Sequence, residues 1–388
     1  MSRFLKQFLW ATATILTVSV LTLVLEHFHF LDRFETTGLD AFNLLQAPRD
    51  PSDLVVVGIY DEDYTRLFNE TSPLGCERLK EILDAIAAGK PRVIGVDLDT
   101  SPPMRFDCLV TAAGWPPMVW AADAEWDQNK NVFFHTPVLG GRVLERPRDS
   151  HGIALFPQDG DGVVRRYLRR FPTEAAGLIP SFAWAVIEAG CKAQCEVCCR
   201  TASGTKGQSS EGLRLNFAGD RFNFTPLSVQ DVLKAVEADK KAGGQTAWGT
   251  DGLLTHKIVL LGGNYRAARD TQITPIGRLN GVQIHAQAIE SELHGGGIGS
   301  LEIWQELALD VVIGYALFLV NYWLRSRLAA ALAVSLLLIP LLCLGASYAV
   351  FSAFAFWLNF IPVVASVLIH VFYEQAREYQ KLAAAHHA

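Results

Sequence analysis

The chain has 388 residues, of which 50% are apolar and 19% charged, with a formal net charge of −6. An acidic balance argues against nucleic acid as a partner, because nucleic-acid binders carry a basic face that neutralises phosphates. Globular chains carry about 25% charged residues. The deficit here lies in a few long runs, which points to membrane segments rather than to an unusually apolar core.

Residues 1–6 carry Arg3 and Lys6, and residues 7–25 have no charged side chain. At ~1.5 Å per residue such a run crosses a hydrocarbon layer of ~30 Å. Glu26, Asp32 and Arg33 follow, with no small-residue cleavage site. The segment therefore reads as an uncleaved anchor and not as a cleaved signal peptide.

The segment 26–303 has an α/β pattern. Leu54–Ile59 reads as a buried strand, Glu77–Ala88 as a helix with Leu79, Ile82, Leu83 and Ile86 on one stripe, and Arg92–Leu98 as a second buried strand. Strand, helix and strand in that order predict a βαβ unit with a parallel pair. Further strands are expected at 117–121, 131–134, 213–216 and 257–261, and helices at 182–189 and 282–293. Uniformly apolar strands predict a mixed or mostly parallel sheet with helices on both faces. Residues 202–212 and 239–252 read as polar loops, and Gly295–Gly299 as a flexible joint.

A second group of membrane segments follows, at 304–324, 328–346 and 352–373, with a turn placed near Gly345–Ser352. Pro340 and Pro362 would kink these helices. Four crossings place Arg3 and Lys6, Arg325 and Arg327, and Arg377 and Lys381 on one side, the cytoplasm by the positive-inside rule. The segment 26–303 is then outside, in the periplasmic or extracellular space of a bacterial inner membrane protein, and residues 374–388 form a short cytoplasmic tail. Asp310 is costly in lipid, so it is expected to face the helix bundle or the headgroups.

Cys343 falls in a membrane segment and the other six cysteines in an oxidising space. Six suits a disulfide framework. Cys76 and Cys108 lie at a similar depth of the first βαβ unit and are expected to pair. In the cluster Cys191, Cys195, Cys198 and Cys199, the adjacent Cys198 and Cys199 are poor partners, and Cys191 or Cys195 is expected to pair with one of them. The CxxC spacing of Cys195 and Cys198 also allows a zinc site, but no histidine is near and the reading favours disulfides.

Asp61 follows the first strand, and Asp97 and Asp99 follow the second. Parallel strands share a carboxyl edge, where open α/β sheets bind ligands. Asp61 and Asp97 are the candidates there, against the plainer reading of helix caps and solvated turns. Asp159 and Asp161 resemble a fragment of a calcium loop but lack its closing Glu, so a tight turn is expected, with Arg165 and Arg166 on opposite faces of the next strand. Gly262, Gly263 and Asn264 read as a turn after a strand. Phosphate-loop, dinucleotide, kinase, GxSxG and HExxH patterns are absent, and neither metal nor cofactor is expected.

These residues resemble the CHASE2 family of extracytoplasmic sensor domains. The resemblance is carried by LVVVGIYDEDY at 54–64, Arg78 with its following helix, PRVIGVDLD at 91–99 and DGDGVVRR at 159–166. It is strongest over 257–291, with Asp270, Thr274, Pro275, Gly281, Val282, His285 and Ala286. The chain departs from the family's pattern at Ser72–Cys76, where a Trp-Pro turn is usual, and at Thr100 and Ser101. The resemblance adds Arg78, Asp270 and His285 to the ligand-site candidates. It implies a sensor for an unknown extracytoplasmic ligand, one helix before the domain and three after it. The short tail leaves no room for an attached output enzyme, so a separate membrane or cytoplasmic partner, or homo-oligomerisation, is expected to carry the signal. The alternatives are a structural or scaffolding subunit of an envelope complex, and an enzyme with Asp61 and Asp97 as acid and base.

Overall fold

The computed structural model describes residues 3–28, 30–47, 51, 53–102, 106–110, 114–141, 150–174, 177–193, 198–199, 201, 212–217, 227–241, 252–324, 334–369 and 371–372. Cys195, Arg325, Arg327, Arg377, Lys381, the tail 374–388 and most of the two polar loops lie outside them. The chain divides into two units, Asn43–Gly297 and a second made of Met1–Phe42 with Ile298–Ala388.

The unit Asn43–Gly297 is built on a six-stranded sheet. Its strands are β1 (Leu54–Tyr60), β2 (Val93–Asp97), β3 (Met118–Ala122), β6 (Ser150–Ile153), β11 (Leu227–Ser228) and β12 (Ile258–Asn264), in the order β11-β1-β12-β2-β3-β6. Every pairing in it is parallel. Four more strands, β4 (Ala124–Asp127), β5 (Val132–His135), β8 (Arg170–Thr173) and β9 (Gly177–Pro180), form a second sheet. Two small pairs complete the set: β7 (Arg166–Tyr167) with β10 (Leu213–Arg214), and β13 (Thr271–Thr274) with β14 (Gly277–Asn280).

Helices cover both faces of the large sheet, and the side-chain alternation along each strand sorts the core into two layers. Val57, Ile59, Ile94, Val96, Val259 and Leu261 face one layer with α4 (Cys76–Ala88) and α7 (Val229–Lys241). Leu54, Val56, Val93, Ile258 and Leu260 face the other with α6 (Phe182–Lys192) and α8 (Gly281–Leu293). Gly95 occurs in β2 because a Cβ there would stand 2.7 Å from Leu260 Cδ2 and 2.9 Å from Phe182 Cζ. The strands are apolar on both sides because both sides are buried.

Several local readings are corrected. Residues 239–241 belong to α7 and not to a loop. Gly262–Asn264 continue β12 in register with Gly58–Tyr60, so they are strand and not turn. Gly295, Gly296 and Gly297 have positive φ, and their amides donate to the carbonyls of Glu292 and Ser291, which finishes α8 rather than leaving a loose joint. The acidic segment after β1 is a helix, α3 (Asp61–Phe68). Arg165 is buried and bonds both Asp159 and Asp161, while Arg166 also reaches toward Asp159. The two arginines therefore converge on one tight turn, whose carboxylates are committed to them.

Disulfides join Cys76 to Cys108 and Cys191 to Cys199, and Cys198 is disulfide-bonded as well. The first ties the start of α4 to α5 (Asp107–Val110). Arg169 and Glu292 form a two-pronged ion pair at 2.6 and 2.9 Å, with side chains 12% and 1% exposed, and the guanidinium also lies 4.8 Å over the Trp184 ring. Breaking such a buried pair leaves an uncompensated charge. Arg169→Met is expected to lower the unfolding free energy by about 3–5 kcal/mol, read by chemical denaturation of the full chain. A change below ~1 kcal/mol, the size seen for exposed pairs, would contradict this.

Among the described residues, the other unit holds three helices long and apolar enough to cross a membrane, over Phe8–Leu25, Ile303–Val320 and Val334–Phe354. They lie in α1 (Arg3–His27), α9 (Ile303–Trp323) and a π-helical turn followed by α10 (Ile339–Phe354). Four crossings were expected; the start of the third expected segment, 328–346, and the end of the fourth, 352–373, lie outside the described residues. Helix α10 runs through Gly345–Ser352, and the chain turns at Ala355, which has a positive φ. A strand, β16 (Phe356–Trp357), then pairs with β15 (Gly299–Ser300). The next helical residues begin at Ile361, and the described part of that helix is too short to span a bilayer.

Helices α1 and α9 run antiparallel. Thr22 donates to Asp310 at 3.4 Å, the hydroxyls of Thr12 and Tyr315 lie 3.1 Å apart, and Phe8 stacks on Tyr315. Asp310 is 7% exposed and faces α1. The amphipathic α2 (Asp32–Leu45) brings Phe42 against Tyr348, Phe351, Trp357 and Phe360. Gly314 permits the helix contact, since a Cβ there would stand 2.7 Å from Ile15 Cγ2. Gly314→Leu is expected to cost about 1–3 kcal/mol by overpacking and to lower the thermal midpoint in detergent. Gly345→Leu serves as control, because an added Cβ there meets nothing within 4 Å. Equal midpoints for both variants would refute the contact.

Candidate functional site

The carboxyl ends of β2, β3, β6 and β12 open into one cavity of about 450 Å³. This is the edge at which parallel α/β sheets place ligands. Asp97 closes β2 opposite Gly262 of β12, and Asp123 follows β3. Asp97, Asp99, Asp123, Asp270 and His285 line the cavity, with Tyr265 and Arg269 on the loop after β12.

Two glycines let α8 reach this edge. A Cβ on Gly262 would stand 2.5 Å from Val282 Cβ, so the first turn of α8 sits directly on β12. A Cβ on Gly281 would collide with the Asp270 carboxylate. The amide of Gly281 also donates to the Asp270 carbonyl. Asn280 caps the helix and bonds Asn264 at the end of β12. One turn further on, His285 enters the cavity floor.

His285 is 2% exposed, with the rings of Phe156 and Phe182 at 4.4 and 4.8 Å. Its Nδ1 is shielded and has no hydrogen-bond partner in the protein, and the same holds for Oδ2 of Asp97. Unpaired buried polar atoms are rare and costly. Burial pushes Asp97 well above the usual carboxylate range, and the nearby Asp270 charge adds to the effect. Asp270 is raised too, by burial first, while the Gly281 amide opposes the shift. Among the described residues, no group of three His, Cys, Asp or Glu side chains is arranged to hold a metal ion.

The other sequence candidates fall elsewhere. Asp61 accepts from the Arg266 amide at 2.9 Å, so it anchors the loop that walls the cavity without lining it. It lines a separate, shallower cavity with Tyr60, Asp63 and Asp231. Asp61 and Asp97 are thus divided by β12 and do not form an acid–base pair. Arg78 is exposed and pairs with Glu81 at 2.6 Å on the surface of α4. Asp123, Tyr265 and Arg269 are lining residues that sequence reading missed. Asp123 had a signal, since it follows a buried strand as Asp97 does. Tyr265 stacks on Tyr64 at 4.3 Å, a contact between distant segments with no local signature.

Burial lowers the His285 pKa from 6.5 to about 3. The unfolded chain therefore binds a proton at 6.5 that the folded chain refuses until about pH 3. Stability is lost as pH falls through that window, by at most about 1.4 kcal/mol per pH unit. The raised Asp97 and Asp270 act in the opposite sense, favouring the fold at lower pH. His285→Gln is expected to remove the imidazole's share, so that the variant loses less stability than the parent chain between pH 6.5 and 4. Urea unfolding across that range checks it, and parallel curves would contradict it.

Comparison with known proteins adds one finding to this geometry. A family model described as the CHASE2 domain matches residues 13–321, from within α1 to within α9 and across all the cavity-lining residues. No curated protein and no solved structure matches the chain. With most of its length covered by that match, the chain belongs to the CHASE2 domain family.

Proposed function

We propose that this protein is a membrane-anchored sensor whose extracytoplasmic CHASE2 domain binds a small ligand in the cavity at the carboxyl edge of the large sheet. The family supports the sensor role. The observation that carries the site is that the side chains of Asp97 and His285 make no hydrogen bond among the described residues and that both line one cavity. Its volume of about 450 Å³ falls in the range of small-molecule sites, roughly 300–1,000 Å³. Arg3 and Lys6 before the first span support a cytoplasmic N-terminus in the inner membrane.

Ligand binding would act by favouring one of two states of the domain. The signal then passes to a separate membrane or cytoplasmic protein or into self-assembly. Ala154 lines the cavity, and Ala154→Trp is expected to fill it. A small-molecule library is screened by thermal unfolding of the full chain in detergent. Compounds bound in the cavity raise the midpoint of the parent chain and not of Ala154→Trp. Stabilisation of both chains alike by every active compound would overturn the site.

A further inference from the structure

The chemistry of the cavity wall narrows the ligand class. Four carboxylates line it, from Asp97, Asp99, Asp123 and Asp270, against one guanidinium, from the exposed Arg269. Acidic residues alone do not make a site. Here they surround the His285 imidazole, which lines the cavity, is 2% exposed and makes no hydrogen bond among the described residues. A neutral ring nitrogen accepts or donates one hydrogen bond according to tautomer. The side chains are not grouped as metal ligands among the described residues, and about 450 Å³ is far more than a bare ion fills.

We infer that the cavity binds a small organic ammonium compound, its charged nitrogen against Asp97 and Asp270 and its remaining N–H groups toward the His285 imidazole. The inference rests on the sensor-site reading above and gives that site its ligand class. Charge complementarity is the physical reason: a buried carboxylate without a counter-charge is costly, and an ammonium group supplies both the charge and several N–H donors.

A second consequence follows. Burial favours the protonated form of Asp97 and Asp270, with Asp97 raised further by Asp270, and Asp270 by Asp123. Asp99, Tyr265, Arg269 and the neutral His285 are the other titratable groups facing them. Where Asp97 or Asp270 carries a proton, an ammonium ligand displaces it to solvent, so binding tightens as pH rises through the range in which that group titrates. No bond to carbon is made or broken.

The test uses the full chain in maltoside micelles. Putrescine and ethanolamine are titrated calorimetrically at pH 6 and pH 8, beside their neutral counterparts butane-1,4-diol and ethylene glycol and the dianion succinate. The expected result is binding of the amines only, no weaker at pH 8 than at pH 6. Asp97→Asn and Asp270→Asn are expected to weaken it at least tenfold. Ala154→Trp is expected to abolish it, which serves if the Asn variants do not fold. Preference for the diols or for succinate, or no amine binding, overturns the ammonium class. If neutral or anionic library compounds still stabilise the parent chain and not Ala154→Trp, the site itself stands. Amine binding unchanged in Ala154→Trp overturns both.

Discussion

The close seating of α8 on the edge of the large sheet organises the whole extracytoplasmic unit. Gly262 has no side chain because Val282 occupies that space, and Gly281 has none because the Asp270 carboxylate does. Backbone contact at this point sets the height of α8 along β12. From that height the rest follows: His285 lies under the cavity, and Glu292, at the far end of the same helix, meets Arg169. A larger residue at either glycine would lift the helix and move both ends together. Dense packing transmits such displacements because interiors hold few voids.

The same seating concentrates polar groups where the fold can least solvate them. Four strands end at one cavity, and each end contributes backbone and often a carboxylate. Asp61, one strand away, is used to fasten the loop that walls the cavity. The stack of Tyr64 on Tyr265 fastens it a second time. A rigid frame therefore surrounds groups that are left short of partners. Such groups are rare in folded proteins, and perturbed ones in a cleft mark candidate functional sites. The strands between the helix layers, by contrast, bury mainly apolar side chains on both faces of the sheet.

The membrane unit follows a different rule. In lipid, helix association depends on close approach and on a few polar contacts. Gly314 against Ile15 supplies the approach, and Thr22–Asp310 and Thr12–Tyr315 supply the polar contacts. Phe42 of α2 and the aromatic residues after α10 form a separate cluster within this unit.

Much of this was legible in the residues taken alone. Charge-free runs marked the membrane segments, because hydrocarbon thickness sets a length that few soluble helices need. The strands Leu54–Ile59 and Arg92–Leu98 were legible because burial on both faces leaves no alternation. Helix α3 was hidden, since three carboxylates at a helix start look the same as a solvated turn. The turn after α10 was misplaced because an all-apolar run has no internal punctuation, and the positive φ that ends the helix falls on an alanine. Asp97, Asp270 and His285 were each visible as chemistry-bearing residues, and their motif was visible as a resemblance. That the three share one cavity, while Arg78 points to solvent and Asp61 serves a neighbouring loop, was decided only by tertiary structure. Strand order is the physical reason: β12 enters between β1 and β2 from far along the chain, and no local pattern records which strands become neighbours.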